Sequence, residues 1–324
     1  MGETFPSISM FPGITVHCLA SPSHGLLDGL DWQALNHRRV ERGIKTEFVR
    51  EYFLEYIFSE DRLLTFSEDI ASAANEPENT DTHPAGYLLR TIYEGTLDNS
   101  RIIGWLGAVA NRRVTGWVCA IVGLIVATTG LIPGEKRRQR SIIVAVTTVG
   151  ITEIALEVIA LFAYQSLFGT LYSRIALLTG TYMTGLAFGS WYSTKRVRAS
   201  GASLRSLVYI QKAVAMLPAA WIGLFYWYTA SGAPSGLQEA VIYLLTVLAG
   251  CAGGIQFPVA DDLYRQTVGI DAPDRGTVYA LDLTGATIGA LTTAVVVIPL
   301  FGMIPTLFFL AALNTIAVIS IRTA

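Results

Sequence analysis

The chain has 324 residues, a net charge of −2 and a mean hydropathy of +0.47, with 52% hydrophobic and only 15% charged residues. Soluble domains average about 25% charged residues, so the composition argues against an ordinary soluble enzyme and for a membrane protein with no nucleic-acid partner. The charge is unevenly placed: residues 1–113 carry 16 acids against 10 bases, net −6, and residues 114–324 carry 9 against 13, net +4. That division predicts a small polar region, 1–113, followed by a transmembrane domain, 114–324.

In the polar region, Ile14–Ala20 is a β-branched, apolar run after Pro12-Gly13 and reads as a strand. Asp31–Arg42 has helical spacing and stops at Gly43, and Lys45–Val49 reads as a second short strand. Arg50–Ala74 reads as one helix with an apolar face from Tyr52 to Phe66, followed by a loop through Pro77 and the Asn79-Thr80-Asp81 run. This loop is an Asx-type turn, expected to dock on the membrane face. Two strands cannot bury an independent core, so the region packs on something else or is the tail of a larger fold. The N-terminus has no charged stretch ahead of an apolar core, so no signal peptide is expected.

Asn99–Ala110 is short and amphipathic, which suits an interfacial position. Seven apolar segments of the length a ~30 Å hydrocarbon core requires then follow: Val114–Pro133, Ser141–Tyr164, Leu171–Tyr192, Leu207–Thr229, Leu237–Phe257, Thr277–Leu300 and Met303–Ile321. Trp117, Trp191, Trp221 and Trp227 fall near segment ends, as interfacial aromatics do. The expected fold is therefore an all-α polytopic bundle of about seven transmembrane helices with a small N-terminal α/β remnant.

Lys136–Arg140 and Lys195–Arg205 are basic loops, whereas Ser166–Thr170 and Ala230–Gly236 are uncharged. The positive-inside rule puts the basic loops, the Asp261–Arg275 loop and Arg322 in the cytoplasm. Seven spans would then leave residues 1–113 on the far side, unless Val114–Pro133 does not cross.

The second segment carries Glu153 and Glu157, four residues apart on one helical face and more than ten residues from Ser141. An unpaired ionised acid at that depth costs roughly 2.5–3.5 kcal/mol on insertion scales. Two readings stand: a midplane site for a proton, a metal ion or a polyamine ammonium, or a structural pair hydrogen-bonded to neighbouring helices. Gln165, Arg174, Gln256 and Asp282 are the companion candidates, beside Gln211, Lys212 and Asn314 in the polar inventory. Arg174 suits snorkelling to the interface equally well, and Asp282 sits shallow enough for a capping role. Gly185/Gly189, Gly250/Gly254 and Gly285/Gly289 repeat the GxxxG spacing and predict three close helix contacts. Cys18, Cys119 and Cys251 lack paired spacing, and all four histidines precede the membrane segments, so no metal site or disulfide framework is expected. Neither a dinucleotide fingerprint, a P-loop nor a nucleophile elbow is present.

Several runs carry a family resemblance. FPGITVHCLAS, LNHRRVERGIKTEFVREYFLEYIFSEDRLLTF and NTDTHPAGY resemble the last strand and C-terminal segment of a spermidine synthase-like domain. GITEIALEVIALFAYQSLFGTLYSRIALLTGTYMTGLAFGS and GGIQFPVADDLYRQ…GTVYALDLTGATIGALTTAVVVIPLFG are similar to the membrane motifs of bacterial multi-pass proteins in which such a domain is fused to helices. The resemblance implies an inner-membrane, multi-pass location and a polyamine context. The catalytic members bind decarboxylated S-adenosylmethionine on a Gly-rich loop, and no GGGDG-like loop occurs here. No catalytic residue, cofactor or metal ligand is therefore carried over. With Met1 as the true start, the chain would be the latter half of a split or truncated fusion protein. The expectations are a carrier-like membrane domain with an acidic midplane site for a cationic small molecule, an anchor in the lipid bilayer completing a separately encoded synthase-like half, or an inactive product.

Overall fold

The computed structural model describes residues 5–12, 16–25, 27, 31–47, 49–72, 79–86, 90, 116, 119–120, 122–124, 128, 136–169, 172–232, 235–268 and 276–324. These fall into two compact units, Met1–Pro77 and Glu78–Ala324.

The first unit is a β-hairpin with three helices. Strands β1 (Ser7–Phe11) and β2 (His17–Ser21) pair antiparallel, with Ser7 opposite Ser21 and Phe11 opposite His17. Helix α1 (Trp32–Glu41) is capped by Asp31, whose carboxylate accepts from the Ala34 amide, and Gly43 ends the segment at φ +62. The predicted single helix over Arg50–Ala74 is broken at Phe58-Ser59 into α2 (Glu51–Ile57) and α3 (Glu60–Ser72). β1 was not expected, and the expected strand at Lys45–Val49 is irregular at residues 45–47 and 49. Among the described residues the sheet is limited to β1 and β2. Leu54 and Ile57 are the buried large apolar residues of the described part of this unit.

The second unit is helical. Its long elements are α4 (Arg137–Phe168), α5 (Tyr172–Ser200), α6 (Leu204–Ser231), α7 (Gly236–Val268), α8 (Thr277–Phe301) and α9 (Met303–Arg322). Five of them, α4 and α6 to α9, are long and apolar enough to cross a membrane, the pattern of a multi-pass membrane protein. Helix α5 has the length at 29 residues but not the hydropathy, because Thr, Gly, Ser and Tyr dilute its apolar residues. The expected count of about seven is therefore not reached among the described residues. Most of the expected first span, Val114–Pro133, and all of Asn99–Ala110 lie outside them.

Helix α7 corrects a second expectation. It continues through Pro258 to Val268, so Asp261, Asp262 and Arg265 are helical rather than in a loop. An Asp261–Arg265 ion pair at 2.8 Å, one turn apart, supports this extension. Trp221 is fully buried between helices and is not an interfacial residue, whereas Trp191 is exposed and stacks under the Lys195 ammonium. Helix α8 passes through a π-turn at Thr293–Val297, directly ahead of Pro299, whose ring cannot supply the ordinary helical donor.

The glycine pairs set the packing. Cβ atoms on Gly185 and Gly189 would collide with the Val247 and Cys251 carbonyls of α7. Cβ atoms on Gly250 and Gly254 would collide with Tyr182 and Leu186 carbonyls of α5. The two motifs are therefore face to face in parallel helices, backbone against backbone. Gly285 and Gly289 meet the Thr147 and Ile151 carbonyls, which makes α8 parallel to α4. Helix α4 is central, with Ile142, Ala145, Ala155, Ile159 and Ala163 fully buried.

The left-handed turn at Gly169 (φ +74) reverses the chain between α4 and α5. With the parallel pairs, this brings Lys136–Arg140, Lys195–Arg205, Arg265 and Arg322 to one end of the bundle. Residues 79–86 dock at the opposite end. There the Met303 amide donates to the Thr82 carbonyl at 2.7 Å, and His83 Nε2 lies 3.0 Å from the Pro299 carbonyl.

Two predictions follow from this packing. Gly185→Leu will lower the thermal midpoint of the detergent-solubilised chain by the equivalent of about 1–3 kcal/mol or more, since a backbone carbonyl must move. Gly180→Leu on the same helix, where a Cβ meets nothing within 4 Å, will leave it unchanged or raised. In a cysteine-free background, Thr80→Cys and Lys195→Cys will react with an impermeant maleimide from opposite faces of sealed vesicles.

Candidate functional site

A cavity of about 470 Å³ lies halfway along the bundle, walled by α4, α5, α7 and α8. Its polar lining is Glu153, Gln256, Asp282, Ser190 and Tyr279, and its apolar lining includes Val146, Val149, Met183, Leu186, Ala187 and Phe257. Glu153 is 16 residues after Arg137 and 15 before Phe168, the middle of α4. It is 6% exposed, and its Oε2 accepts from the Tyr182 hydroxyl at 3.2 Å. Its Oε1 is buried and finds no donor among the described residues.

Two glycines make room for this arrangement. A Cβ on Gly253 would land on the Glu153 carboxylate, so α7 must carry glycine there for the acid to lie flat against it. A Cβ on Gly150 would meet the Asp282 carbonyl at 2.5 Å and its carboxylate at 3.1 Å, so the same device brings Asp282 against α4.

Behind the cavity runs a buried chain of amides. Asn314 Nδ2 donates to the Leu310 carbonyl at 2.8 Å and to Thr152 Oγ1 at 2.6 Å. Asn314 Oδ1 accepts from Gln211 Nε2 at 2.8 Å, and Gln211 Oε1 accepts from Gln256 Nε2 at 2.9 Å. Gln256 Nε2 also donates to the Ala145 carbonyl at 3.2 Å. Gln211 is 0% and Gln256 is 2% exposed, and Gln256 Oε1 has no donor among the described residues. This polar layer separates two apolar clusters, one around Trp221, Phe225 and Leu307, the other around Leu207, Leu263 and Ile321.

The candidate residues named from sequence divide accordingly. Glu153, Gln256 and Asp282 come together at the cavity. Glu157 does not line it: the side chain is half-buried one turn further on, where Oε1 accepts from Thr179 at 3.1 Å. Arg174 lies 3.8 Å from Glu239, which also accepts from Tyr164 and Tyr243. Gln165 lines a separate cavity of about 380 Å³ at the end where residues 79–86 dock, beside Asn79, Asp81 and Phe162. Lys212 stands over the Tyr209 ring and takes no part in the amide chain. Tyr182, Gly253 and Gly150 were not foreseen. Gly253 was detectable as the one glycine of its run that falls outside the GxxxG register.

Gly253→Ala supplies the local test. It will destabilise the wild-type chain by about 1–3 kcal/mol in detergent melts, and by far less in a Glu153→Ala background, because the two side chains compete for one volume.

Neither a family model, a curated protein nor a solved structure matches the chain, so the chemistry of this site rests on its own geometry.

Proposed function

We propose that this chain is a multi-pass membrane module that binds a cation at Glu153, and that the cation is an organic ammonium such as one end of a polyamine. The observation that supports this most is the unpartnered Glu153 Oε1, buried mid-bundle and bordering a cavity large enough for a small molecule. A buried charge left without a partner costs several kcal/mol, and a bound cation removes that cost. Asp282 adds a second carboxylate to the same cavity, and Tyr182 orients the first.

An organic cation fits better than a bare metal ion. No three His, Cys, Asp or Glu side chains gather as a metal site among the described residues, and much of the wall is apolar. Apolar walls do not replace the hydration shell of a small ion, but they match an alkyl chain. The resemblance to spermidine synthase-like membrane proteins supports a polyamine as the natural ligand and a bacterial inner membrane as the location.

A second reading, a membrane anchor for a separately encoded synthase-like half, draws on the first unit. Its hairpin has little core of its own and presents Met10 and Leu19 at 42% and 46% exposure.

The test is binding of spermidine, putrescine and n-butylammonium to the purified full chain in nanodiscs. Glu153→Gln will abolish binding or weaken it at least tenfold, and Glu157→Gln will change it by less than threefold. Equal, wild-type binding in both variants contradicts the proposal.

A further inference from the structure

The direction of every hydrogen bond in the buried amide chain is set at its ends, and this has a consequence for what the cavity selects. Asn314 Nδ2 points at the Leu310 carbonyl and Gln256 Nε2 at the Ala145 carbonyl, and a backbone carbonyl can only accept. The two threonines beside the chain are also committed. Thr152 Oγ1 donates to the Thr148 carbonyl at 2.7 Å, and Thr148 Oγ1 to the Ala145 carbonyl at 3.0 Å, so both meet the amides as acceptors. Turning any one amide over would set oxygen against oxygen, and turning all three is blocked at both ends. Gln256 therefore presents its carbonyl oxygen, not its amide nitrogen, as the group left without a partner.

A further acceptor follows from sequence. Pro258 has no N–H, so the Gly254 carbonyl, four residues earlier on the cavity wall, loses its ordinary helical donor. The Tyr182 hydroxyl is already committed to Glu153 Oε2.

Resting on the cation-binding reading above, we infer that Gln256, oriented by Gln211 and Asn314, is the specificity-determining residue, and that the ligand class is N–H-bearing alkylammonium. Glu153 supplies charge neutralisation, which any monovalent organic cation would use. Gln256 Oε1 supplies a lone pair that the N–H bonds of an alkylammonium can meet and a quaternary nitrogen cannot, and the remaining wall takes its alkyl body. A quaternary ammonium of equal charge has no hydrogen to offer and leaves that buried oxygen unpaired.

The test compares n-butylammonium with n-butyltrimethylammonium on the full chain in nanodiscs. The wild type will prefer n-butylammonium at least tenfold, the worth of one charge-assisted hydrogen bond. Gln256→Leu will bring the two affinities within about twofold of each other by weakening n-butylammonium alone. A wild-type ratio near one overturns the inference without needing any variant to fold. So does a ratio unchanged in a folded Gln256→Leu chain. Binding of both amines that depends on Glu153 but shows no preference would leave the cation site standing and this inference refuted. No binding of either amine would remove both.

Discussion

An acid in the middle of a helical bundle has to be answered by its surroundings, and most of the second unit is arranged around that demand. Glu153 lies on α4, the most buried of the five candidate spans, and is itself only 6% exposed, so its solvation falls to the protein around it. The protein answers one carboxylate oxygen with the Tyr182 hydroxyl and leaves the other buried against Gly253, without a donor among the described residues. Getting the acid there required removing side chains. Gly253 clears the space under the carboxylate, and Gly150 lets α8 bring Asp282 alongside. The GxxxG contacts of α5 with α7 then close one wall, because helices without Cβ atoms at their contact approach closely enough for backbone to meet backbone.

The amide chain on the other side works by a different principle. Gln211, Gln256 and Asn314 are each nearly or fully buried, and each donor among them has an acceptor. A satisfied network of this kind rigidifies the layer it crosses, whereas a partly satisfied one would destabilise it. Here the chain is satisfied everywhere except at the Gln256 oxygen bordering the cavity. Glu153 Oε1 and Gln256 Oε1, two buried acceptors without a donor among the described residues, belong to residues that line one cavity, and they describe the chemical complement of the ligand.

Much of this was legible in the sequence, for physical reasons. Hydropathy over 20 residues reports burial in lipid directly, so α4 and α6 to α9 were expected close to where they lie. GxxxG spacing reports a flat helix face, so all six paired glycines were assigned to contacts. The depth of Glu153 marked it as exceptional. What the sequence did not show was which side of α4 each acid faces relative to its neighbours. Glu153 and Glu157 are one turn apart, yet a small angular offset sends one to the cavity and the other to Thr179. Gln165 was grouped with the midplane residues but belongs with Asn79 and Asp81 at the helix end, 12 residues further along. The hairpin β1–β2 and the continuation of α7 past Pro258 depend on long-range pairing and on tolerance of a lost hydrogen bond, neither of which local pattern encodes.

The most direct measurement is an experimental structure of the full chain prepared in n-butylammonium. The account places the nitrogen within about 3.2 Å of both Glu153 Oε1 and Gln256 Oε1, with the alkyl chain along the Met183–Phe257 wall. A cavity closed by a donor that pairs Glu153 internally, or an amine bound elsewhere, would contradict it.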